Sequence, residues 1–294
     1  MPARRKEKRL FCTVNPALFR EKEYAIKKVT KPRKVMVIGG GVAGMQAAEV
    51  AAERGHKVTL YEANRELGGS WNIASAQPHK EIYRNLTRQL TSGLKATGVK
   101  IILNKKADAN LVQTEKPDAV IVATGARPAV PPLPGAGGAN VVQAVDVITG
   151  KARTGDKVVV IGGRMIGMEV SIYLAEKKKK VSLVTLKRLG ENGEKLEANL
   201  YRTLRNIMVK NNIQLFTSTP AVEIRPDGVF ANDGGDILWL EADTVVLATG
   251  YKSENELVQI LKGVVPEVYS VGDCNTPRDA LDATREGMEI GLKV

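Results

Sequence analysis

Residues 34–62 read KVMVIGGGVAGMQAAEVAAERGHKVTLYE. An apolar run meets Gly39, Gly41 and Gly44 in the spacing G-x-G-x-x-G, a helical stretch follows, and a second apolar run ends at Glu62. This order of strand, glycine turn, helix and strand is typical of the β-α-β unit that binds a dinucleotide. The glycine spacing alone would be weakly specific, but the flanking strands, the helix and the terminal carboxylate make the pattern specific.

Each part of this unit has a physical role. Gly39 allows the tight turn, Gly41 lets the backbone approach a pyrophosphate, and Gly44 lets the helix pack closely on the strand. The helix N-terminus offers free N–H groups and the positive end of its dipole to phosphates. Glu62 can accept hydrogen bonds from a ribose. Residues 67–69, Leu-Gly-Gly, stand where a loop can pass close to a ligand.

Length and composition indicate a globular protein with two domains. The 294 residues, 43% of them apolar, suffice for two cores, because a single core stops growing near roughly 250–300 residues. No apolar run approaches the roughly 18 residues that span a bilayer, and the basic N-terminus lacks the apolar region of a secretory signal. We therefore expect a cytoplasmic protein without membrane contact. Two cysteines, Cys12 and Cys274, are too few for a disulfide framework.

The net charge of +12 does not by itself indicate nucleic-acid binding. The basic residues lie in an N-terminal arm and at residues 177–180, without interleaved aromatic side chains, so we expect no nucleic-acid partner. Residues 177–180 fall where a helix ends before a strand, which favours solvated charge at a helix C-terminus. The surplus positive charge would attract phosphorylated cofactors or an acidic protein partner.

The chain repeats its first unit. Residues 157–163 copy residues 34–40, and the same offset of 123 residues maps the last glycine of the fingerprint onto Gly167. A strand that ends in Ala-Thr-Gly also occurs twice, at residues 119–125 and 244–250. Two β-α-β units imply two nucleotide-binding domains.

The repeat departs from the first unit at two places. Arg164 replaces the middle glycine, Gly41, and its side chain crowds the approach of the backbone to a pyrophosphate. The second site is therefore weakened, altered or no longer used. Thr185 replaces the carboxylate that would bind a ribose hydroxyl, while Lys187 and Arg188 can pair with a 2′-phosphate. If a cofactor binds here, NADPH is favoured over NADH.

Near the C-terminus, Val-Gly-Asp at residues 271–273 follows a strand, and its carboxylate can reach a ribityl hydroxyl or a phosphate-bound water. With the glycine fingerprint, Glu62 and both Ala-Thr-Gly segments, this motif resembles the flavoprotein superfamily that includes glutathione reductase. Residues 12–16, 34–69 and 272–287 are more closely similar to the C-terminal half of the flavin and iron–sulfur enzymes related to 2,4-dienoyl-CoA reductase, trimethylamine dehydrogenase and enoate reductases. The resemblance covers nearly the whole chain.

The resemblance implies an α/β fold with two Rossmann-like dinucleotide-binding domains, the second inserted into the first as in glutathione reductase, and an N-terminal arm. We predict an arm at residues 1–30, an FAD-binding domain at residues 31–128 and 246–294, and an NAD(P)-binding-like domain at residues 129–245. In the family, FAD lies extended along the first domain. The last helix would point its N-terminus at the pyrimidine end of the flavin, where negative charge develops on reduction.

The predicted cofactor-binding residues form two sets. The residues for FAD are Gly39, Gly41, Val42, Ala43, Gly44, Glu62, Ala63, Gly68, Gly69, Ser70, Ala123, Thr124, Gly125, Gly272, Asp273, Ala283 and Thr284. The residues for NADPH or NADH are Gly162, Arg164, Met165, Lys187 and Arg188. Ser70 departs from the family, which often has glutamine after the paired glycines.

Members of this family begin with an FMN-binding TIM barrel and a cysteine cluster that holds an iron–sulfur centre, and this sequence contains neither. Cys12 resembles the last ligand of that cluster, whereas an ordinary 4Fe-4S cluster needs four thiolates. The resemblance implies either a subunit whose partner supplies the barrel and the other ligands, or a cluster-free relative with a vestigial Cys12. We favour the partner, and predict that the arm is its interface and that Cys12 binds metal only with that chain.

Two functions remain open. The leading hypothesis is an FAD-dependent oxidoreductase, or its electron-input subunit, that passes electrons between NAD(P)H and flavin. The alternative is a non-catalytic structural subunit that holds ADP or FAD in its first site and nothing in its second. No acid–base dyad is evident in the sequence, whose only histidines are His56 and His79, so catalytic residues stay unassigned.

Overall fold

The computed structural model describes residues 10–78, 80–189 and 198–294, so that His79 lies outside the described part. The strands are β1 (Lys34–Ile38), β2 (Lys57–Tyr61), β3 (Lys100–Ile102), β4 (Ala119–Val122), β5 (Ala126–Pro128), β6 (Val141–Gln143), β7 (Lys157–Ile161), β8 (Lys180–Thr185), β9 (Gln214–Thr217), β10 (Ala221–Arg225), β11 (Gly228–Asp233), β12 (Asp236–Glu241), β13 (Thr244–Leu247), β14 (Tyr251–Ser253) and β15 (Glu267–Ser270). The helices are α1 (Val42–Glu53), α2 (Ser70–Ser75), α3 (Arg84–Ala96), α4 (Ala109–Glu115), α5 (Ala144–Ile148), α6 (Met165–Glu176), α7 (Ala198–Lys210), α8 (Glu256–Leu261) and α9 (Ala280–Lys293), with 3-10 turns at Glu81–Tyr83 and Gly272–Cys274.

The described residues form two compact units. The first unit comprises residues 10–127 and Lys252–Val294, and the second unit is Pro128–Tyr251. The second unit is therefore inserted into the chain of the first. Each unit contains a parallel sheet with helices, which confirms the predicted α/β fold.

The first unit is built on a five-stranded parallel sheet in the order β15-β4-β1-β2-β3. Alternate residues of β1 face opposite sides of this sheet. Val35 and Val37 pack with α1 and α3, whereas Met36 and Ile38 pack with α4 and α8. The chain runs outward from β1 through β2 to β3 and then continues on the other side with β4. The carboxyl ends of β1 and β4 therefore flank the crevice in which such sheets bind ligands.

The last helix, α9, packs closely on α1 through two glycines. A Cβ at Gly287 would lie 2.6 Å from the carbonyl oxygen of Ala43, and a Cβ at Gly291 would lie 2.6 Å from the Cβ of Val50. Larger side chains would push the two helices apart. This packing brings the end of the chain to the helix that follows the glycine loop.

The second unit repeats the sheet of the first. Its parallel strands have the order β6-β13-β7-β8-β9, in which β7 and β8 take the places of β1 and β2. A three-stranded antiparallel sheet, β10-β11-β12, packs Val229, Ala231 and Leu240 against residues of the parallel sheet. The two sheets of like order are the structural counterpart of the repeat in sequence.

The structure divides the chain at a different place from the predicted domain boundary between residues 245 and 246. That boundary falls within β13, whose Val245 and Val246 both pair with β6 and with β7. β13 therefore belongs wholly to the second unit, and the chain returns to the first unit after Tyr251. Ala-Thr-Gly follows a strand in each unit, and the chain crosses to the other unit within two residues of each of these segments.

The described part of the predicted arm packs on α1 and α9. The side chain of Tyr24 is buried with Val50 and Met288, and its hydroxyl donates to a carboxylate oxygen of Glu289 at 2.6 Å. These contacts tie the arm to the first unit. The basic start of the arm, residues 1–9, lies outside the described residues.

Among the described residues, no helix combines the length and the hydropathy that crossing a bilayer requires. The cytoplasmic location stays a prediction.

We expect Glu49 to make the protein less stable as the pH rises from about 4.5 to about 7. This side chain of α1 approaches Gly93 of α3, and its burial, with the nearby charge of Glu53, raises the pKa of Glu49 from its usual 4.5 to about 7. The unfolded chain ionises at the lower value and the folded chain at the higher one. Stability should therefore fall between these two pH values, by on the order of 2 kcal/mol, because solvent screening at this partly exposed group reduces the roughly 3 kcal/mol of the full pKa shift.

Glu49→Gln should remove this part of the pH dependence, because the amide does not ionise. Thermal unfolding at pH 5 and at pH 8 measures it in the variant and the unmodified protein. The control is Glu256→Gln, which changes an exposed residue of α8 and should leave the dependence of stability on pH as it is in the unmodified protein. If the stability of Glu49→Gln changed with pH as much as that of the unmodified protein, the prediction would be contradicted.

Candidate cofactor site

The glycine loop of the first unit turns sharply between β1 and α1. Gly39 has φ +108°, which L side chains rarely adopt, and a Cβ there would clash with the carbonyl oxygen of Ala123 after β4. A Cβ at Gly44 would clash with the carbonyl oxygen of Gly39. Both positions therefore need glycine for the loop to fold.

Gly41 differs from these two glycines because nothing around it requires glycine. It is the N-cap of α1 and has φ −72° and ψ 177°, which any residue can adopt. No heavy atom of the described residues lies within 4 Å of the position that a Cβ would take. The helix also has no capping side chain in the described part of the chain. The N-terminal end of α1, with its free N–H groups and positive dipole end, thus adjoins open space of the kind that a pyrophosphate needs.

Glu62 holds its carboxylate beside this loop, at the end of β2. It is 5% exposed, and its Oε2 accepts a hydrogen bond from the N–H of Gly40 at 2.7 Å. Its Oε1 accepts from the main-chain N–H and the side-chain amide of Asn64, both at 2.7 Å. A carboxylate has about four acceptor positions, so one remains for a ribose hydroxyl.

The second glycine loop meets the first. The N–H of Gly68 donates to the carbonyl oxygen of Gly40 at 2.8 Å, and a Cβ at Gly69 would lie 3.1 Å from the Cα of Gly41. The predicted residues on either side of this contact, Ala63 and Ser70, are exposed. The structure therefore brings both loops and Glu62 together on one edge of the sheet.

The turn after β15 reaches the same edge. Gly272 has φ +70°, and a Cβ there would lie 2.7 Å from the Cβ of Ala43 in the first turn of α1. The Oδ1 of Asp273 accepts from the N–H of Arg278 at 3.0 Å. Burial raises the pKa of Asp273 above its usual value, and the hydrogen bond and charge of Arg278 oppose that rise. A second carboxylate is thus held on the ligand edge, across the sheet from Glu62.

The structure limits the part that Ala283 and Thr284 can play. Thr284 is fully buried, and its hydroxyl donates to the carbonyl oxygen of Leu281 at 3.1 Å within α9. Ala283 is half-buried against the core of the first unit. The threonine hydroxyl is therefore engaged within α9, and the N–H of Ala283 already donates to the carbonyl oxygen of Asp279 at 3.1 Å.

The Ala-Thr-Gly segment after β4 has contacts of its own. The Thr124 hydroxyl donates to the carbonyl oxygen of Glu254, and the N–H of Glu254 donates to the carbonyl oxygen of Gly125 at 3.0 Å. Ala123 packs on Gly39. The segment therefore supports the glycine loop and holds the returning chain, and its threonine side chain is already engaged.

The second unit keeps the shape of the glycine loop. Gly162 has φ +120°, and a Cβ there would clash with the carbonyl oxygen of Ala248 after β13, as at Gly39. Arg164 is the N-cap of α6 with φ −78° and ψ 177°, nearly the angles of Gly41, and Met165 begins the helix. The substitution therefore leaves the backbone course unchanged. It adds an exposed cationic side chain at the position that is open in the first unit.

In the described segment that ends β8, residues 185–189, there is no carboxylate beside this second loop. Thr185 is buried, and its hydroxyl donates to the carbonyl oxygen of Lys187 at 3.0 Å. Lys187 and Arg188 are exposed directly after the strand. The segment therefore presents positive charge where the first unit presents a negative one.

Cys12 lies half-buried in the arm. Within the described ranges, no group of three or more His, Cys, Asp or Glu residues could hold a metal ion. The ring of the neighbouring Phe11 lies 5.4 Å from the guanidinium of Arg20 and 5.9 Å from that of Arg285. Because Arg285 follows Thr284, these contacts place Phe11 of the arm beside the predicted flavin-binding turn of α9.

Three residues of the site were not assigned from the sequence. Gly40 and Asn64 hold the carboxylate of Glu62, and Glu286 accepts from the N–H of Gly272 at 2.8 Å. The contact of Asn64 with Glu62 could have been predicted from the sequence, because asparagine often forms hydrogen bonds with groups two residues away. The contact of Glu286 could not have been predicted in this way, because its partner, Gly272, is distant in the chain.

Comparison with known proteins decides the family. Residues 33–287 match the pyridine nucleotide-disulphide oxidoreductase family. The chain belongs to this family. It is 38% identical to an NADH oxidase of Thermoanaerobacter brockii, over 97% of this chain and 45% of that relative. It is 35% identical to a cinnamate reductase of Clostridium sporogenes, over 96% of this chain and 42% of that relative.

The same likeness extends to solved structures of family members. A 2-naphthoyl-CoA reductase in complex with 2-naphthoyl-CoA matches with a TM-score of 0.90 and 33% identity, over 97% of this chain and 43% of that one. The chain thus spans less than half the length of these relatives. The comparisons confirm the predicted resemblance, the oxidoreductase class, and FAD and pyridine nucleotides as the cofactors of the family. The roles of individual residues stay predictions.

Proposed function

We propose that this chain binds FAD along the carboxyl edge of the sheet in the first unit, binds NAD(P)H in the second unit, and passes electrons between them. The observation that supports this most is the open N-terminus of α1 at Gly41, which lies on the same edge as Glu62 and Asp273. The end of α1 would hold the pyrophosphate, Glu62 the ribose, and Asp273 the ribityl chain. FAD, when bound, supplies the redox chemistry, and the protein supplies orientation and electrostatics.

The spacing of the two carboxylates favours an extended ligand. Glu62 follows β2 and Asp273 follows β15, and these strands are three steps apart in the sheet. Neighbouring strands lie about 4.8 Å apart, so the strand ends are separated by on the order of 15 Å. A ligand that reaches both carboxylates must be long. FAD, with a ribose at one end and a ribityl chain beyond its pyrophosphate, has the required groups.

The partner that we propose is an FMN-binding barrel that also carries iron–sulfur ligands. The chain spans 42–47% of its relatives, among them a metal reductase of Desulforamulus reducens, so they contain about as much chain again. In the arm, Leu10, Val14 and Phe19 are 55%, 47% and 58% exposed. These apolar side chains offer a surface for a partner, and Cys12 would supply one ligand of a 4Fe-4S cluster. The final electron acceptor would then depend on that partner.

A non-catalytic structural role is the second candidate, and Arg164 favours it. Its side chain stands at the position where a dinucleotide-binding loop usually leaves room for a pyrophosphate. In this alternative, the first site holds ADP or unreactive FAD and the second holds nothing.

The optical spectrum of the purified protein distinguishes the two candidates. We expect a yellow protein that absorbs at about 450 nm and is bleached by NADPH or NADH without oxygen. Dithionite is the control, because it reduces a bound flavin without a nicotinamide site. A colourless protein, or a flavin that only dithionite bleaches, would support the structural role.

We expect the unmodified protein to prefer NADPH, because Lys187 and Arg188 can pair with its 2′-phosphate. A charge-assisted contact contributes about 1.5–3 kcal/mol, so Lys187→Ala with Arg188→Ala should weaken NADPH binding by about tenfold or more. NADH binding should change little. Rapid-mixing measurement of flavin reduction at several nucleotide concentrations gives both affinities.

The control for this double variant is Lys180→Ala, at the opposite end of β8. Lys180 is also exposed, and it lies away from the carboxyl end of the strand. The Lys180→Ala variant should leave the preference for NADPH over NADH unchanged. Equal reduction of the unmodified protein by NADPH and NADH would contradict the prediction.

A further inference from the structure

The carboxylate of Glu286 ties α9 to the turn after β15. Its side chain is 17% exposed. Its Oε2 accepts from the N–H of Gly272 at 2.8 Å, and its Oε1 pairs with the guanidinium of Arg278. Both oxygens of a nearly buried carboxylate are therefore directed at the segment that carries Asp273.

Arg278 links this carboxylate to that of Asp273. Its main-chain N–H donates to the Oδ1 of Asp273 at 3.0 Å, while its guanidinium pairs with Glu286. The ion pair keeps the guanidinium on α9. The charge of this guanidinium already acts on Asp273, and without Glu286 the carboxylate of Asp273 remains in this cluster for the guanidinium to pair with. An ion pair with the guanidinium would then occupy acceptor positions of Asp273 that a ligand hydroxyl would otherwise use.

The turn has little room to move because three elements meet at Ala43. A Cβ at Gly272 would lie 2.7 Å from the Cβ of Ala43, and a Cβ at Gly287 would lie 2.6 Å from its carbonyl oxygen. Glu286, next to Gly287, adds a hydrogen bond across this junction. The position of Asp273 relative to the N-terminus of α1 therefore depends on the bond between Glu286 and Gly272.

We propose that Glu286 is a positioning residue for the flavin. It holds the turn at Gly272 in place and keeps Arg278 away from Asp273, so that Asp273 can accept from the ribityl chain. This inference rests on the proposed FAD site and adds to it a residue that acts through others, without touching the ligand.

Titration of the flavin-free protein with FAD tests this inference. Glu286→Ala should weaken FAD binding by about tenfold or more, because a buried amide loses its acceptor and a charge-assisted pair is lost. Glu286→Gln should have a smaller effect, because its amide oxygen can still accept from Gly272. Glu289→Gln is the matched control: it removes a carboxylate of the same helix that bonds Tyr24 of the arm, and should leave the affinity unchanged.

A second substitution separates positioning from mere support of the fold. Adding Arg278→Ala to Glu286→Ala should restore part of the FAD affinity, because no guanidinium then competes for Asp273. Loss of structural support alone would make the double variant bind no better than the single one. Without FAD, hydrogen exchange of residues 270–278 should be faster in Glu286→Ala and unchanged in Glu289→Gln.

The outcomes separate this inference from the proposed function. Absence of FAD binding by the unmodified protein would overturn both. Tight binding by the unmodified protein, with equal affinity and equal exchange in Glu286→Ala, would overturn the role of Glu286 alone. Weakened binding without rescue by Arg278→Ala would also overturn it as a positioning residue.

Discussion

Replacing Gly41 with valine is expected to give a folded protein that no longer binds FAD. The φ of −72° and ψ of 177° suit a β-branched residue, and nothing described lies within 4 Å of the new Cβ, so folding should be little affected. The valine side chain would instead fill the space in which the pyrophosphate meets the N-terminus of α1. Loss of two charge-assisted hydrogen bonds, each about 1.5–3 kcal/mol, predicts an affinity at least about a hundredfold lower.

Two further variants control this experiment. Arg164→Val makes the equivalent change in the second unit, where the backbone angles are nearly the same, and should leave FAD content unchanged. Gly39→Val should instead unfold the first unit, because its φ is positive and its Cβ would clash with Ala123. Flavin content after purification and the thermal unfolding temperature measure the two effects. A Gly41→Val protein that is fully loaded with flavin would show that the pyrophosphate lies elsewhere.

Replacing Cys12 with alanine is expected to remove the iron from a complex with the proposed barrel partner. A 4Fe-4S cluster is ordinarily held by four thiolates, and the partner would supply three of them. The contacts of Phe11 with Arg20 and Arg285 should persist in the variant, so the arm should keep its place on α9. Co-expression with the barrel subunit, followed by iron analysis, measures the loss.

The second cysteine provides the matched control for this loss. Cys274 is buried in the first unit, with its Sγ 3.4 Å from the carbonyl oxygen of Glu254, so Cys274→Ala should keep the iron. A brown complex that loses its iron and turns yellow only in Cys12→Ala would support the proposal. Unchanged iron in Cys12→Ala, or no complex with a barrel subunit, would contradict it.

The electrostatic contrast between the two units bears on the proposed entry of electrons from NAD(P)H. The first loop has an open N-cap and an adjacent carboxylate, whereas the second has Arg164 and two cations after β8. Because the backbone course is the same, the difference lies in the side chains. This contrast is the basis of the preference for NADPH, with its additional phosphate, that we propose for the second unit.

The sequence by itself determined the two sheets and the shape of their glycine loops. A strand that must turn at once into a helix needs positive φ and close backbone contact, and only glycine satisfies both at Gly39 and Gly162. The copied run at residues 157–163 therefore predicted a second β-α-β unit, and the structure shows that its sheet has the same strand order as the first. These features follow from local sterics and apolar periodicity, and a small number of neighbouring residues is enough to determine both.

Only the tertiary structure decided which side chains face the ligand edge and where the chain changes unit. Thr284 belongs to the predicted set, yet its hydroxyl bonds within α9, whereas unassigned Glu286 reaches Gly272. β13 stays in the second unit because it pairs with strands on both sides. Such outcomes depend on how helices and strands distant in sequence pack against each other, and no local pattern in the chain encodes that orientation.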